Sequence, residues 1–357
     1  MRVGLCNRST EAHSRKTSQP KNFTAEGSSR SNTSSKAAYA QGQARVSAQL
    51  INAETGAHLW AENFEGTADN VFALQDAITR SLAGAIAPKL LLAELERAKR
   101  DPDENPRVYL GRGWASLFKW TRVGNAEAVR LLRKAMALDP EFVLAPAAAA
   151  LCYNFAKSFG CLEGLPGGSA EGARLARQAL VLGKDDVIAL CAGGFGIAYL
   201  DEDLDGAFDA IDRAVAINSA TASPWAMRAF LHVFRGEQHS ALRDFQQAAE
   251  LSPRDPRLFA WQTAAAYAHF FEGRYERASA LANKTIREQP GYLPALRLAA
   301  ASAALDDRLD QARKLMERLR EIDPLKRCAD LATQFPLMRK QDFEKLAQGL
   351  ERAGLPA

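Results

Sequence analysis

The sequence has no paired cysteines, no long apolar run and no histidine cluster, and each absence removes a class of function. Its five cysteines, Cys6, Cys152, Cys161, Cys191 and Cys328, are odd in number and form no C-x-x-C pair. Reduced thiols in a cytosolic protein fit this pattern better than a disulfide framework or a zinc site. Cys152, Cys191 and Cys328 sit among apolar neighbours, as small core residues do. No apolar run approaches the roughly 18–20 residues that cross a bilayer, so no membrane segment is expected. The opening MRVGLCNRSTEAHSRK lacks the apolar stretch of a secretory signal, which leaves the cytoplasm as the expected compartment.

Catalytic signatures are missing as well. His13, His58, His232, His239 and His269 show no i, i+4 pair and no cysteine partner at metal spacing. There is no G-x-S-x-G and no nominable acid–base pair. No catalytic, cofactor-binding or metal residue is therefore assigned, and a non-enzymatic protein is expected.

What is present is apolar content organised by period. The 357 residues are 47% hydrophobic and 25% charged, enough for a continuous core in two or three domains or in one extended repeat array. The charge is segregated. Arg2, Arg8, Arg15, Lys16, Lys21, Arg30 and Lys36 face only Glu11 and Glu26 within residues 1–43, a net +5 against +4 for the whole chain. Residues 44–357 thus carry about −1, and a nucleic-acid partner is not expected for the folded body. Residues 1–43 are polar and aperiodic, and are expected to be a disordered, solvated basic tail. A basic arm touching nucleic acid or anionic lipid is the alternative for that tail.

Order is expected from Ala44. Val46, Ala48 and Leu50 alternate with Arg45, Ser47 and Gln49, as in a half-buried strand. Glu54-Thr55-Gly56 turns the chain, and His58–Phe64 returns as a second strand. Asp69 caps a helix over 70–99, with Val71, Leu74, Ile78, Leu82 and Ile86 on one face and Pro88 as a kink. A two-stranded hairpin is marginal in water, so it must pack on its helix, on the repeats, or on strands from another chain. Exposed strand edges predict a homodimer through residues 44–100.

The linker Asp101-Pro102-Asp103-Glu104-Asn105-Pro106 leads into repeats, best seen in Ser223–Pro253. There Ala241, Phe245 and Ala248 share one helical face, Trp225 and Ala229 share another, Gly236 ends the first helix, and Pro253 stops the second. Matching second-helix positions are Ala128, Gly172, Ala207, Ala241, Ala278 and Ala312, in steps of 44, 35, 34, 37 and 34. The stops Pro140, Lys184, Ser219, Pro253, Pro290 and Pro324 keep the same steps. A helix–turn–helix period near 34 is the tetratricopeptide signature. The longer step places an insertion at Gly160–Ser169, and about six repeats fill 101–340 before a closing helix near 341–353 caps the last apolar face. The expected fold is mainly α: a helical-repeat solenoid after a small α/β module and a tail.

Residues 45–62, RVSAQLINAETGAHLWAE, resemble the end of the TolB-like N-terminal domain of bacterial regulators. Val71–Thr79 resembles the helix that follows in that family, and Gly349–Pro356 the way such chains end. Those regulators join a class III adenylate/guanylate cyclase domain, or a DNA-binding domain, to this module and then to tetratricopeptide repeats. Upstream, the module's earlier strands and helices and the catalytic domain are absent. The resemblance thus implies a truncated relative with a regulatory role beside a cyclase or transcriptional regulator. The alternative is the C-terminal regulatory part of a cyclase-like protein.

Two motifs compete with structural explanations. Asp201-Glu202-Asp203-Leu204-Asp205-Gly206 resembles the start of a calcium loop, but the register puts Gly206 at an inter-helix turn, where carboxylates meet a helix N-terminus. Gly193-Gly194-Phe195-Gly196 lacks a preceding strand and falls inside a first helix, so close helix packing is expected. The remaining candidate is a concave face built from first helices. Tyr199, Phe230, Phe234, Tyr267, Phe271 and Arg297 fall near it, a set suited to a protein or peptide ligand. Most of these aromatics are expected to fill core between repeats, with Arg297 at the surface.

Overall fold

The structure is a computed structural model and describes residues 21–25, 31–40, 43–52, 58–67, 96–101, 103–322, 328–337 and 339–356. They fall into two units, one within Met1–Thr79 and the other within Arg80–Ala357.

The first unit is a four-stranded antiparallel sheet in the order β1 (Lys21–Ala25), β2 (Ser31–Ala40), β3 (Gln43–Asn52) and β4 (His58–Thr67). The expected hairpin forms, with Val46 opposite Phe64 and Leu50 opposite Trp60. Ser47 Oγ donates to Asn63 Oδ1 across it at 2.6 Å. Within the stretch expected as a tail, residues 21–25 and 31–40 are strands. β2 pairs β3 along its length, from Ser31 opposite Asn52 to Ala40 opposite Gln43. Backbone ladders are indifferent to side-chain polarity, so a Ser/Asn/Thr-rich stretch can complete a sheet that its own apolar content does not announce. β3 is therefore interior, and the sheet edges are β1 and β4. The Glu54-Thr55-Gly56 turn lies outside the described residues, as do residues 1–20 and most of the 70–99 helix; residues 96–100 are helical.

The second unit is a tetratricopeptide-repeat solenoid of antiparallel helix pairs: α1 (Pro106–Leu117) with α2 (Arg122–Leu138), α3 (Leu144–Ser158) with α4 (Gly168–Leu182), α5 (Val187–Leu200) with α6 (Leu204–Ile217), α7 (Ala222–Arg235) with α8 (Gln238–Leu251), α9 (Leu258–Phe271) with α10 (Tyr275–Glu288), and α11 (Leu293–Leu305) with α12 (Leu309–Ile322). A 3-10 turn at Cys328–Thr333 and α13 (Lys340–Arg352) complete it. No described helix is long and apolar enough to cross a membrane.

Local chemistry sets the boundaries. The Asn105 side chain accepts from Val108 N at 3.0 Å with Pro106 in the first turn, and Asp186 accepts from Ile188 N and Ala189 N at 2.9 Å. Each second helix ends two residues before the stop read from the sequence, at Leu138, Leu182, Ile217, Leu251, Glu288 and Ile322. The later inter-helix turns demand a left-handed residue. Gly236 and Gly273 supply it at φ 86° and 79°; Glu202 and Asp307 supply it without glycine, at 58° and 57°.

All the matched second-helix positions are buried. Ala128, Ala207, Ala241, Ala278 and Ala312 are fully so, and a Cβ on Gly172 would sit 2.6 Å from Tyr153 Cβ. The triple glycine has the same cause: a Cβ on Gly196 would lie 2.5 Å from Ala176 Cβ, and one on Gly193 2.7 Å from Leu180 Cγ. In the acidic turn, Asp203 Oδ1 accepts from Gly206 N at 2.9 Å and caps α6, while Asp201 pairs with Arg177 and Asp205 with Arg235. Cys152 and Cys191 are buried, and burial pushes both thiols up, Cys191 to about 12. The burial of Cys328 lies outside the described residues.

Candidate functional site

The first helices of the repeats face one another across a cavity of about 150 Å³. Its walls come from α1 (Trp114), the α1–α2 turn (Trp120), α3 (Phe155), α5 (Phe195), α7 (Phe230) and α9 (Trp261). Some of the rings meet tilted or edge-on and others stack, as Phe155 does on Phe159 at 3.9 Å, the arrangements being those of a packed aromatic cluster. Trp120 is T-shaped on Phe259 at 5.2 Å and on Tyr292 at 5.8 Å, while Tyr199 is T-shaped on Phe234 at 5.3 Å.

These contacts show that the solenoid turns back on itself. Trp120 belongs to the first repeat, Phe259 and Tyr292 to the last two. The Arg122 guanidinium donates from Nη2 to the carbonyls of Phe159 (3.3 Å) and Ile322 (3.2 Å). Trp120 adopts φ 53°, unusual for a bulky residue, and is held there by rings from four directions, Phe118 and Phe155 besides Phe259 and Tyr292.

Of the residues named from the sequence, Tyr199, Phe230, Phe234 and Tyr267 line this cavity. Phe230 is half-buried; Tyr199, Phe234 and Tyr267 are buried. Phe271 stands outside the lining, stacked on Tyr267 at 5.9 Å. Arg297 corrects the expectation of a surface residue, since it is fully buried. Its Nη1 donates to the Ser158 carbonyl at 2.9 Å, and its guanidinium lies 5.9 Å from the Phe335 ring centre.

Phe335 explains that burial. Beyond the 3-10 turn the chain runs back over the first helices, where Phe335 packs edge-on against Tyr267 at 5.9 Å and joins the cavity wall. α13 follows. It packs on α11 so closely that a Cβ on Gly349 would lie 2.8 Å from Ala301 Cβ. Arg339 Nη1 donates to the Gly236 carbonyl at 3.1 Å, and Lys345 Nζ to the Phe271 carbonyl at 2.7 Å. The closing helix thus reaches back along first helices of three repeats.

The cavity is electrically quiet. Arg257 is the charged residue of its wall, with Nε and Nη2 on the Asp255 carboxylate at 2.9 and 2.8 Å and its face over Trp261 at 4.7 Å. Burial pushes the Tyr199, Tyr267 and Tyr292 hydroxyls above their ordinary range, so they remain neutral. Asn154 also lines the wall; it is 4% exposed, and neither amide atom has a hydrogen-bond partner among the described residues. No nucleophile–base pair occurs in this lining. Apolar walls with one carboxamide are suited to binding.

Sequence reasoning missed Trp114, Trp120, Asn154, Phe155 and Trp261. Carrying the repeat register into the first two repeats would have found those on α1 and α3. Phe335 carried no such signal, because it belongs to no repeat.

No family model matches the chain. A stretch of 105 residues, 29% of the chain, is 33% identical to a putative adenylate cyclase 3 of Rhizobium meliloti (strain 1021) and covers 18% of that protein. Among solved structures, a human IFIT1 dimer with m7Gppp-AAAA matches with a TM-score of 0.53 at 17% identity, over 80% of this chain and 64% of that one. A tetratricopeptide repeat protein from Parabacteroides merdae matches with a TM-score of 0.44 at 16% identity, over 78% and 98%. The chain therefore spans about a fifth of the cyclase relative and under two thirds of IFIT1. The structural likenesses concern the fold.

Proposed function

We propose that this chain is a non-enzymatic protein–protein interaction scaffold whose first-helix cavity receives a peptide segment of a partner. The observation that supports it is the aromatic cavity lined by the first helices of the repeats, the kind of concave apolar site that holds ligands. A phosphate-rich ligand is disfavoured, because the wall's arginine is already committed to Asp255. Selection of a random peptide library on the full chain tests this. Binders that lose affinity for folded Phe230→Glu or Met227→Glu variants support the proposal, and binders indifferent to both overturn it.

The setting we propose is bacterial, cytoplasmic signalling beside a nucleotide cyclase. Its support is the 33% identity to part of a putative adenylate cyclase, together with the resemblance of residues 45–62 to the TolB-like module. On the second reading the chain is the regulatory part of a cyclase-like protein. An in-frame or frameshifted cyclase domain in the genomic sequence upstream favours that reading; unrelated upstream sequence counts against it. A homodimer through residues 44–100, with the β4 edge as the pairing surface, belongs to the same proposal. Monomer mass by light scattering would refute the dimer.

A further inference from the structure

The cavity has the size of one aromatic ring. A cavity of about 150 Å³ with apolar walls accommodates a benzene-sized guest, and this one measures about 150 Å³. Its wall is largely aromatic, and aromatic rings pair edge-on or offset-stacked with an entering ring. A charged guest would be buried without a counterion, because Arg257 is held by Asp255.

Asn154 supplies the polar half of the specification. Its carboxamide offers one acceptor and one donor side by side, both buried and both without a partner among the described residues. A buried polar group left in that state is costly, so a ligand that satisfies it gains affinity. In an extended peptide, the N–H and C=O of one residue point to the same side, as they do in the hydrogen-bonded pairs of an antiparallel ladder. A carboxamide matches that pair. The chain also shows how such a residue is seated: Phe335, in the non-helical stretch after the 3-10 turn, already places its ring in the same wall against Tyr267.

We propose that the cavity takes one aromatic side chain from an uncharged, extended peptide segment, with the Asn154 carboxamide pairing to that residue's own backbone N–H and C=O. This rests on the peptide-scaffold function above and specifies its ligand.

The test uses the full chain and four probes: N-acetyl-phenylalanine amide, N-acetyl-alanine amide, the backbone N-methylated phenylalanine probe, and toluene. Binding is read by saturation-transfer NMR and by tryptophan fluorescence. The capped phenylalanine is expected to bind, capped alanine to bind undetectably, and N-methylation to weaken binding about fivefold or more, as befits a lost hydrogen bond. Asn154→Leu is expected to weaken capped phenylalanine similarly while toluene binding persists. Failure of capped phenylalanine to bind, or equal binding of the N-methylated probe, overturns the proposal; the latter needs no variant to fold. If library peptides bind the cavity without an aromatic residue, this inference falls and the scaffold function stands. If the capped residue binds but no peptide does, the scaffold function falls instead.

Discussion

Arg297 Nη1 donates to the Ser158 carbonyl at 2.9 Å, joining residues 139 positions apart. The bond ties the first helix of the sixth repeat to the end of the first helix of the second. A solenoid with contacts only between neighbours has no such bond, so this one has turned back on itself, and that closure deepens a concave face into a cavity. Substitution at Arg297 therefore tests closure. Arg297→Glu places an opposite charge among partners chosen for a cation and is expected to cost more than about 3 kcal/mol. Arg297→Met keeps the packing and should cost less. Urea unfolding of both variants checks the order.

The left-handed turns predict opposite effects at equivalent positions. Glu202 is held at φ 58°, where a side chain costs about 1–2 kcal/mol. Glu202→Gly should raise stability by up to about 1 kcal/mol, the remainder being lost to unfolded-state entropy. Gly236→Ala should lower it, since the turn sits at φ 86° and the added Cβ would collide with Arg339 Cδ. Thermal unfolding distinguishes the two signs.

His269 makes stability depend on mild acid. Burial, reinforced by the charges of Arg274 and Arg277, pushes it down to about 4, against an ordinary value near 6.5. The folded chain therefore binds fewer protons than the unfolded chain in that window. Its contribution is complete above about pH 6.5 and is lost as pH falls toward 4. His269→Gln should flatten the Tm-versus-pH curve there, and an unchanged slope would contradict this.

Asp244 acts at lower pH. Burial alone would raise its pKa, but hydrogen bonds from His232 and Arg228 outweigh burial and hold the carboxyl below its ordinary range. Arg228 Nε reaches Asp244 Oδ2 at 2.6 Å and Nη1 reaches Asp212 Oδ1 at 2.6 Å, linking α6, α7 and α8. This stabilisation is present above about pH 3.9 and disappears as pH falls through the lower folded value. Asp244→Asn should cost about 1–3 kcal/mol at neutral pH, measurable by denaturant titration.

The repeat framework was legible because its cause is local. Alanine or glycine at the start of each second helix is required wherever two helices approach closely, and those positions are buried here. The strands β1 and β2 were not legible, since Ser31–Ala40 is recruited by pairing with β3 rather than by its own pattern. Part of the cavity lining was legible too: Tyr199, Phe230, Phe234 and Tyr267 follow from the register. Arg297 misled because charge predicts exposure, whereas its burial depends on Phe335 returning from the C-terminal segment. One signal for that return lay in α11, LPALRLAAASAAL, apolar around its whole circumference. A helix of that kind must be covered on every side, so an element beyond the repeats had to lie across it.

The measurement that bears most directly on the cavity as a peptide site is calorimetric titration of a library-selected peptide into the full chain, with wild type beside folded Phe230→Glu. Saturable one-to-one binding to wild type, weakened at least about tenfold in the variant, is the predicted result. Equal affinity for both would place the ligand elsewhere and contradict the account.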